Sequence, residues 1–273
     1  MIRKLYPQGK KKAFSITYDD GVIQDIRFVL LMNKYGMKGT FNLNSRLMEQ
    51  EFEWRHDSGR IIKRLSPAVA RYLYEGHEVA SHSLSHPDMR WLSEEQIMYE
   101  LGHDKWLLEQ LFEREICGFA LPFDYYSDTI AACAERLGFE YSRCSEETYS
   151  YSPPEDYYHW AAGTYHVMPG FRGFAEGFFH TEEELALCQI VGHSYDLDVG
   201  DMWESMEELL RRVAGDEDVI SMTNIELVRY LKAMRTAEIS EKYIRNTSGQ
   251  TLWFEVDGRV ISLGPGEEIK NPR

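Results

Sequence analysis

The sequence predicts an α/β fold built on parallel strands, either an open sheet or a (β/α) barrel. Short apolar runs alternate with amphipathic helical patterns from residue 13 to about residue 237, in about seven strand–helix units. The chain has 273 residues, of which 43% are hydrophobic and 27% are charged, so it can bury a sizeable core. In such folds ligands bind at the carboxyl ends of the strands.

The first half of the chain supplies five predicted strands, over 13–18, 39–44, 77–83, 116–123 and 139–144. Helices are predicted between them. One ends at Gly36, and another begins at Ser66-Pro67 and ends near Gly76. Ser93 and Gln96 form a capping box before a long helix, and a fourth helix covers 127–137.

The second half is less regular at first. Residues 145–180 contain prolines, glycines and many aromatic residues, and a loop of that length is usually functional. We then predict a short helix from Thr181, a strand over 187–194, a helix over 203–214, a strand over 218–223 and a helix to about Ala237. Residues 243–273 contain two alternating runs joined by Asp257-Gly258, which predict a β-hairpin appendage packed on the main fold or on a partner chain.

Charge and composition exclude several classes of partner. The formal net charge is −15, so a nucleic acid is not an expected ligand. No apolar run is long enough for a membrane helix, and none follows the basic first twelve residues, which are expected to be a solvated lead-in rather than a signal peptide. The four cysteines form no C-x-x-C motif and are expected to be buried in a reducing compartment, which predicts a cytoplasmic protein. A homo-oligomer is possible through the C-terminal hairpin.

Five ionisable residues fall at predicted strand ends: Asp19 and Asp20, then His82 and His86, then His193. In a barrel they would converge on one mouth. Two imidazoles and one carboxylate that leave open positions are typical of a catalytic metal site. The second carboxylate could accept a proton, and His193 could donate one to a leaving group. Taken singly, the D-D-G segment is more often a turn, the H-x-x-x-H spacing arises by chance, and a lone histidine is more often part of the core.

These residues lie in four short segments that resemble the motifs of the polysaccharide deacetylases, also called NodB-homology proteins or family 4 carbohydrate esterases. The segments are SITYDDG (15–21), SHSLSH (81–86), ALPF (120–123) and IVGH (190–193). They match the family patterns T-[FY]-D-D-G, H-[ST]-x-x-H, the second half of R-x-P-[YF], and [LIV]-x-x-H, in the family's order. The resemblance implies a distorted (β/α)7 barrel over residues 13–237, with the short C-terminal β extension over 243–273 outside it.

The resemblance also implies a role for each matched residue. Asp19 would be the general base, and His193 would protonate the departing amine or alcohol. A metal, usually zinc in this family, would be bound by Asp20, His82 and His86; cobalt or nickel would suit the same ligands. A metal-bound water would attack the acetyl carbonyl, and the backbone N–H of Phe123 would help to form the oxyanion hole.

Two positions depart from the family pattern. Ala120 stands where the family has an arginine that usually orients the base. Either another group holds Asp19, or the pKa of Asp19 rises and activity falls, or the deacetylase chemistry is lost; we expect the first. In this family an aspartate–tryptophan motif usually supports the general acid. Trp160 could be its tryptophan, and Trp160 could also bind substrate. The supporting aspartate is Asp156, Asp196 or Asp198.

Three functions follow from these observations. The leading hypothesis is a metal-dependent hydrolase that removes N- or O-acetyl groups from a carbohydrate, with an acetylated oligosaccharide or small acetylated sugar as its substrate. The second is a C–N hydrolase of a small cyclic amide or ureide, as some relatives of the family are. The third is a catalytically silent carbohydrate-binding barrel, suggested by Ala120 and by the aromatic residues of the 145–180 segment.

Overall fold

The computed structural model of the protein describes residues 2–270 and contains a nearly closed barrel of parallel strands. The strands in these residues are β1 (Ile2–Leu5), β2 (Lys12–Asp19), β3 (Thr40–Leu43), β4 (Glu53–Arg55), β5 (Ile61–Lys63), β6 (Glu78–Ser81), β7 (Gly118–Ala120), β8 (Tyr141–Glu147), β9 (Trp160–Ala162), β10 (Thr164–Tyr165), β11 (Ala186–Gly192), β12 (Val219–Ser221), β13 (Glu238–Ile239), β14 (Tyr243–Arg245), β15 (Leu252–Val256), β16 (Arg259–Leu263) and β17 (Glu268–Lys270). The α-helices are α1 (Asp25–Lys34), α2 (Ser45–Glu49), α3 (Pro67–Leu73), α4 (Glu94–Phe112), α5 (Asp128–Arg136), α6 (Phe171–His180), α7 (Ser194–Val199), α8 (Trp203–Gly215) and α9 (Asn224–Arg235).

The barrel strands run in the order β10-β11-β2-β3-β6-β7-β8-β9, and β12 pairs with the start of β2. Every one of these pairs is parallel, so the carboxyl ends of the strands face the same side. All eight residues of β2 are buried, as expected for a strand with neighbours on both edges and helices outside. The predicted fold class, an α/β barrel, is confirmed.

Several helix starts follow the sequence signals. The Ser93 hydroxyl accepts the Gln96 N–H at 3.3 Å, while the Gln96 side chain accepts the Ser93 N–H at 2.8 Å, so the predicted capping box begins α4. Pro67 occupies the first turn of α3, where its missing N–H costs no hydrogen bond.

The prediction of a helix from Thr181 is wrong. The helix in this part of the chain is α6, which ends at His180, one residue earlier. It begins directly after Pro169-Gly170, inside the segment that was expected to be irregular. Its buried residues are Phe171, Phe174, Ala175 and Phe178, a helical spacing whose apolar stripe faces the core. Burying each phenylalanine contributes about 1.5–3 kcal/mol, which outweighs the two glycines within the helix.

The two chain ends meet in a small β layer. Asp257 and Gly258 have φ of 49° and 78° and join β15 to β16, as the hairpin signal predicted. The N-terminal segment, expected to be a lead-in, instead supplies β1, which pairs antiparallel with β15. A further antiparallel sheet has the order β13-β14-β17. A second apolar cluster, including Tyr6, Tyr230 and Phe254, packs this layer against α9 and the barrel.

All four cysteines are free and buried. Among residues 2–270, no helix combines the length and the apolar composition that a membrane span requires.

Candidate active site

The five predicted ionisable residues lie together at the carboxyl ends of the barrel strands. One carboxylate oxygen of Asp20 (Oδ1) is 3.9 Å from Nε2 of His82 and 4.0 Å from Nε2 of His86. The other oxygen (Oδ2) is 3.8 Å from Nε2 of His193. These residues and Asp19 line one cavity of about 710 Å³. Joint placement at strand ends, rather than any single motif, is what predicted this convergence.

The turn after β2 directs the two aspartates to different sides. Asp19 is the last residue of the strand, and Asp20 follows it with a φ of +84°. Gly21 continues the turn with a φ of +62°, and a Cβ at this position would lie 2.8 Å from a methyl carbon of Leu43. Both the conformation and the limited space favour a glycine here.

The first candidate group is a metal-ligand set. The carboxylate of Asp20 and the imidazoles of His82 and His86 each offer an atom within 4.8 Å of the others. Nδ1 of His82 lies 2.9 Å from the carbonyl oxygen of Ala120, and when it donates there it leaves the Nε2 lone pair facing Asp20. Burial lowers the pKa of His82, and lowers that of His86 to about 4, so both are neutral at neutral pH, as metal ligands must be.

Asp20 also has a cationic neighbour that the motifs did not predict. Nη1 of Arg64 lies 2.9 Å from Oδ1 of Asp20 and also donates to the Asp20 backbone carbonyl. Although burial disfavours the charged form, Arg64 and the three histidines hold the pKa of Asp20 well below its usual range. Apart from this ion pair, Oδ1 accepts no well-aligned hydrogen bond, so its lone pairs could still bind a metal cation.

Asp19 is held by different partners. The guanidinium of Arg143 donates to its Oδ1, which also accepts the Asn42 side-chain N–H at 2.8 Å. Arg143 is completely buried, and its Cα is the register partner of Ala120 on the adjacent strand. Burial alone would raise the pKa of Asp19, but Arg143, with His82 and His193, lowers it. Ala120 stands where the family pattern has an arginine. Arg143, on the neighbouring strand at the same level of the barrel, supplies a guanidinium to Asp19 instead.

His193 follows β11 and belongs to a three-membered polar group. Its Nδ1 is 3.1 Å from Oδ2 of Asp196 and 2.6 Å from the hydroxyl of Tyr165, which donates to the same Asp196 oxygen at 2.5 Å. Burial opposes protonation of His193, but the Asp196 bond and the charges of Asp20 and Asp19 outweigh it and raise the pKa to about 9. Nε2 is left facing the cavity.

The two other aspartates considered for this position lie in local contacts of their own. The carboxylate of Asp156 accepts the Tyr158 N–H, and that of Asp198 accepts the Trp203 indole N–H. Asp196 is the one of the three that contacts His193.

The last two predicted residues lie in different places. Phe123 lines the cavity in a 3-10 turn, with a φ of 55°, and its exposed ring meets the His86 ring edge to face at 4.7 Å. Trp160 does not line this cavity. It is buried on β9, packs edge to face against Tyr141, and borders a separate cavity beside the 148–163 segment.

Two other aromatic residues of the 145–180 segment also pack outside this cavity. Tyr151 stacks on Phe174 at 4.7 Å, and the Tyr158 hydroxyl donates to the Phe139 carbonyl. Neither residue lines the cavity that contains Asp20.

Sequence reasoning missed several polar residues of the site, among them Arg64, Arg143 and Tyr165. A signal existed for Arg143, because a charged residue within a predicted barrel strand needs a buried counter-charge. Arg64 and Tyr165 carry no such signal, since Arg64 directly follows β5 and Tyr165 ends β10, in segments that had no predicted strand.

Comparisons with known proteins point to one family. The family model described as "Polysaccharide deacetylase" matches residues 7–142. A curated relative from Bacillus subtilis (strain 168), named "Putative polysaccharide deacetylase YxkH", is 23% identical over 176 residues, which are 63% of this chain and 58% of that protein. The chain spans about half the length of the curated relatives that it matches.

Solved structures share the fold. The crystal structure of a "putative polysaccharide deacetylase" from Mycobacterium smegmatis aligns over 85% of this chain and 94% of that chain at 13% identity, with a TM-score of 0.65. The structure of a CE4 family pseudoenzyme from Bacillus anthracis aligns over 83% of this chain and 68% of that chain at 15% identity, with a TM-score of 0.51. At such identities the likeness establishes the barrel and not the activity.

The matched segment contains the Asp19-Asp20 and His82–His86 motifs, and the barrel continues through β11 to His193 at the same mouth. On the family match, the motifs and the shared barrel, this chain belongs to the polysaccharide deacetylase family.

Proposed function

We propose that this protein is a metal-dependent hydrolase that removes N- or O-acetyl groups from a carbohydrate. The observation that carries the proposal is one cavity in which three candidate metal ligands lie beside two separately held proton-transfer groups. Asp20, His82 and His86 form the ligand set, and Asp19 and His193 line the same cavity. An acetylated oligosaccharide or a small acetylated sugar is the proposed substrate.

The ligand set suits a divalent transition metal, with zinc the first choice and cobalt or nickel as alternatives. Two observations support this choice. Both imidazoles are neutral, with Nε2 of His82 freed by the Nδ1 bond to Ala120, and the buried Asp20 Oδ1 makes an ion pair with Arg64 but accepts no well-aligned hydrogen bond. When bound, such a metal polarises the acetyl carbonyl and lowers the pKa of a coordinated water toward neutrality.

Asp19 is proposed as the general base. Its carboxylate is ionised because Arg143 lowers its pKa, and Arg143 and Asn42 fix its position. Because both partners bind Oδ1, the other oxygen is available to accept a proton in the cavity.

His193 is proposed as the general acid. Asp196 and Tyr165 hold the Nδ1 side of the ring, and the raised pKa keeps the imidazole protonated at neutral pH. Nε2 can then give a proton to the departing amine or alcohol. The backbone N–H of Phe123, in the exposed turn beside His86, is the proposed donor to the oxyanion.

The test is metal analysis of the purified protein together with acetate release. We expect about one equivalent of metal per chain, turnover of an aryl acetate and of acetylated sugars, loss of turnover after chelation, and recovery on adding zinc, cobalt or nickel. Ring amides are assayed in parallel to test the C–N hydrolase hypothesis. A wild-type protein that is fully loaded with metal and releases no acetate from any of these substrates would sink the proposal.

A further inference from the structure

A β-hairpin that the sequence did not reveal forms one wall of the cavity. Strands β4 and β5 pair antiparallel, with Trp54 opposite Ile62. The hairpin is fastened to the turn that follows Asp20: the Ile23 N–H donates to the Lys63 carbonyl at 3.0 Å, and the Leu65 N–H donates to the Gly21 carbonyl at 2.8 Å. The wall therefore has a fixed position relative to the proposed metal ligand.

The hairpin carries aromatic rings that continue from the site. Tyr195 stacks on His193 with ring centroids 4.7 Å apart, and Trp54 meets Tyr195 edge to face at 5.7 Å. Phe52 lies nearly parallel to Trp54, with an interplanar angle of 22° and centroids 6.3 Å apart. The rings thus form a row that leads from the proposed acid to the outer rim.

The inner rings of this row are covered and the outer ring is open. Tyr195 is 9% exposed, whereas Phe52 is 43% exposed, and both border the cavity. The interior face of the hairpin is anchored by Ile62, Val22 and Tyr195, so Phe52 is not needed to hold it in place. A single exposed phenylalanine is unremarkable, but one that is stacked on a tryptophan and continuous with a catalytic cavity is typical of a ligand wall.

The inner end of the row contacts a charged side chain. The guanidinium of Arg64 lies 5.1 Å from the centre of the Trp54 ring while its Nη1 contacts Asp20. This contact fixes Trp54 next to the ligand set and leaves the outer part of the wall, at Phe52, as the accessible apolar surface.

Resting on the proposed function, we propose that Phe52 and Trp54 form a binding subsite for a pyranose ring adjacent to the acetylated one. The C–H face of a sugar ring packs on aromatic rings, while its hydroxyls remain in the open, polar part of the cavity. The two side chains act on the binding of substrates with more than one ring and leave the chemical step at the metal ligands unchanged.

The experiment compares a trisaccharide with a minimal ester. Wild type, Phe52→Ala, Trp54→Ala and Trp54→Phe are assayed with triacetylchitotriose and acetylated xylotriose, and with p-nitrophenyl acetate. For the trisaccharide that is turned over, we expect KM to rise about tenfold in Trp54→Ala and less in Phe52→Ala. Trp54→Phe keeps a ring and restores most of the binding, and aryl acetate turnover stays within about twofold in Phe52→Ala, whose ring lies at the outer end of the row. Trp106→Ala, on the exposed face of α4 outside the cavity, is the matched control and changes neither substrate.

Binding is measured separately by calorimetry on metal-loaded Asp19→Asn protein, with and without Trp54→Ala and Phe52→Ala. If wild type releases no acetate at all, the proposed function fails, and weaker trisaccharide binding in the hairpin variants still supports the subsite. Two results overturn the subsite: trisaccharide KM and affinity unchanged in Trp54→Ala and Phe52→Ala, or an equal loss with p-nitrophenyl acetate. The absence of trisaccharide binding to Asp19→Asn protein with an unaltered hairpin overturns it as well.

Discussion

Asp19 and Asp20 are neighbours in the sequence, yet each carboxylate has its own arginine from a different part of the fold. Asp19 is held by Arg143, which is completely buried on barrel strand β8. Asp20 is held by Arg64, which follows the β4–β5 hairpin and borders the cavity. Asp19 also accepts a hydrogen bond from Asn42, whereas Asp20 faces three imidazoles.

The difference explains how two identical side chains can do different work. Both pKa values are lowered by a buried cation, so both groups are charged at neutral pH. The two carboxylates differ in their neighbours. Asp20 lies beside imidazoles that can bind a metal, whereas Asp19 lies beside groups that fix its position and keep it ionised as the proposed proton acceptor. Strand alternation and the positive φ at Asp20 point the two carboxylates in different directions, so one metal ion cannot bind both in the same way.

The largest effect is expected from removing the Asp20 charge. Asp20→Asn should abolish metal binding at micromolar concentrations and lower kcat/KM by more than about 10⁴-fold, because both the metal and the activated water are lost. Metal content and acetate release are measured on the same sample. His180→Ala, an exposed histidine outside the cavity, is the control and should keep both. Full activity of Asp20→Asn without metal would contradict the proposed role.

Asp19→Asn should separate the two carboxylates most clearly. We expect metal content to stay at the wild-type level, while kcat/KM falls by about 10²- to 10⁴-fold, the usual contribution of a general base. A loss of metal equal to that of Asp20→Asn would show instead that the two aspartates share one role.

Arg143→Met should change the pH dependence of activity. Arg143 lowers the pKa of Asp19, so without it that pKa rises, and the acidic limb of the kcat/KM profile moves to higher pH. At neutral pH kcat/KM should fall by about 10- to 100-fold, as for other residues that support a reacting group. Arg143→Lys keeps the charge and should shift the limb less, and thermal unfolding of both variants checks the fold. An unmoved limb in Arg143→Met would rule out this coupling.

Arg64→Met is expected to have the smallest effect on turnover and, unlike Asp20→Asn, to increase the affinity for metal. Arg64 lies against the same Asp20 oxygen that faces His82 and His86, and two cations near one oxygen repel each other. Metal affinity, measured by competition with a chromogenic chelator, should therefore increase by about tenfold, which corresponds to about 1.4 kcal/mol of relieved repulsion. Weaker metal binding would mean that Arg64 serves mainly to orient Asp20.

Much of the candidate site could be predicted from the sequence because its motifs are local. The strand-end positions of Asp19, Asp20, His82, His86 and His193 follow from apolar runs and their breaks, and parallel strands bring such ends together. The supporting shell could not be predicted in the same way. Choosing Asp196 over Asp156 and Asp198 required knowing which carboxylate lies beside Nδ1 of His193, and in the structure Tyr165 from β10 joins that pair.

The sequence by itself determined the parallel α/β class, the capping box of α4 and the C-terminal hairpin, since periodicity and turn chemistry act over a few neighbouring residues. The choice of a barrel and the residues proposed to do the chemistry came from the resemblance of its short motifs to those of a known family. Only the tertiary structure decided which arginine pairs with which aspartate, that α6 lies within the 145–180 segment, and that a hairpin supplies the aromatic wall. Arg143 is 124 residues from Asp19, and Arg64 is 44 residues from Asp20. Buried charges select their partners through space by desolvation and Coulomb attraction, and no local pattern in the chain records that choice.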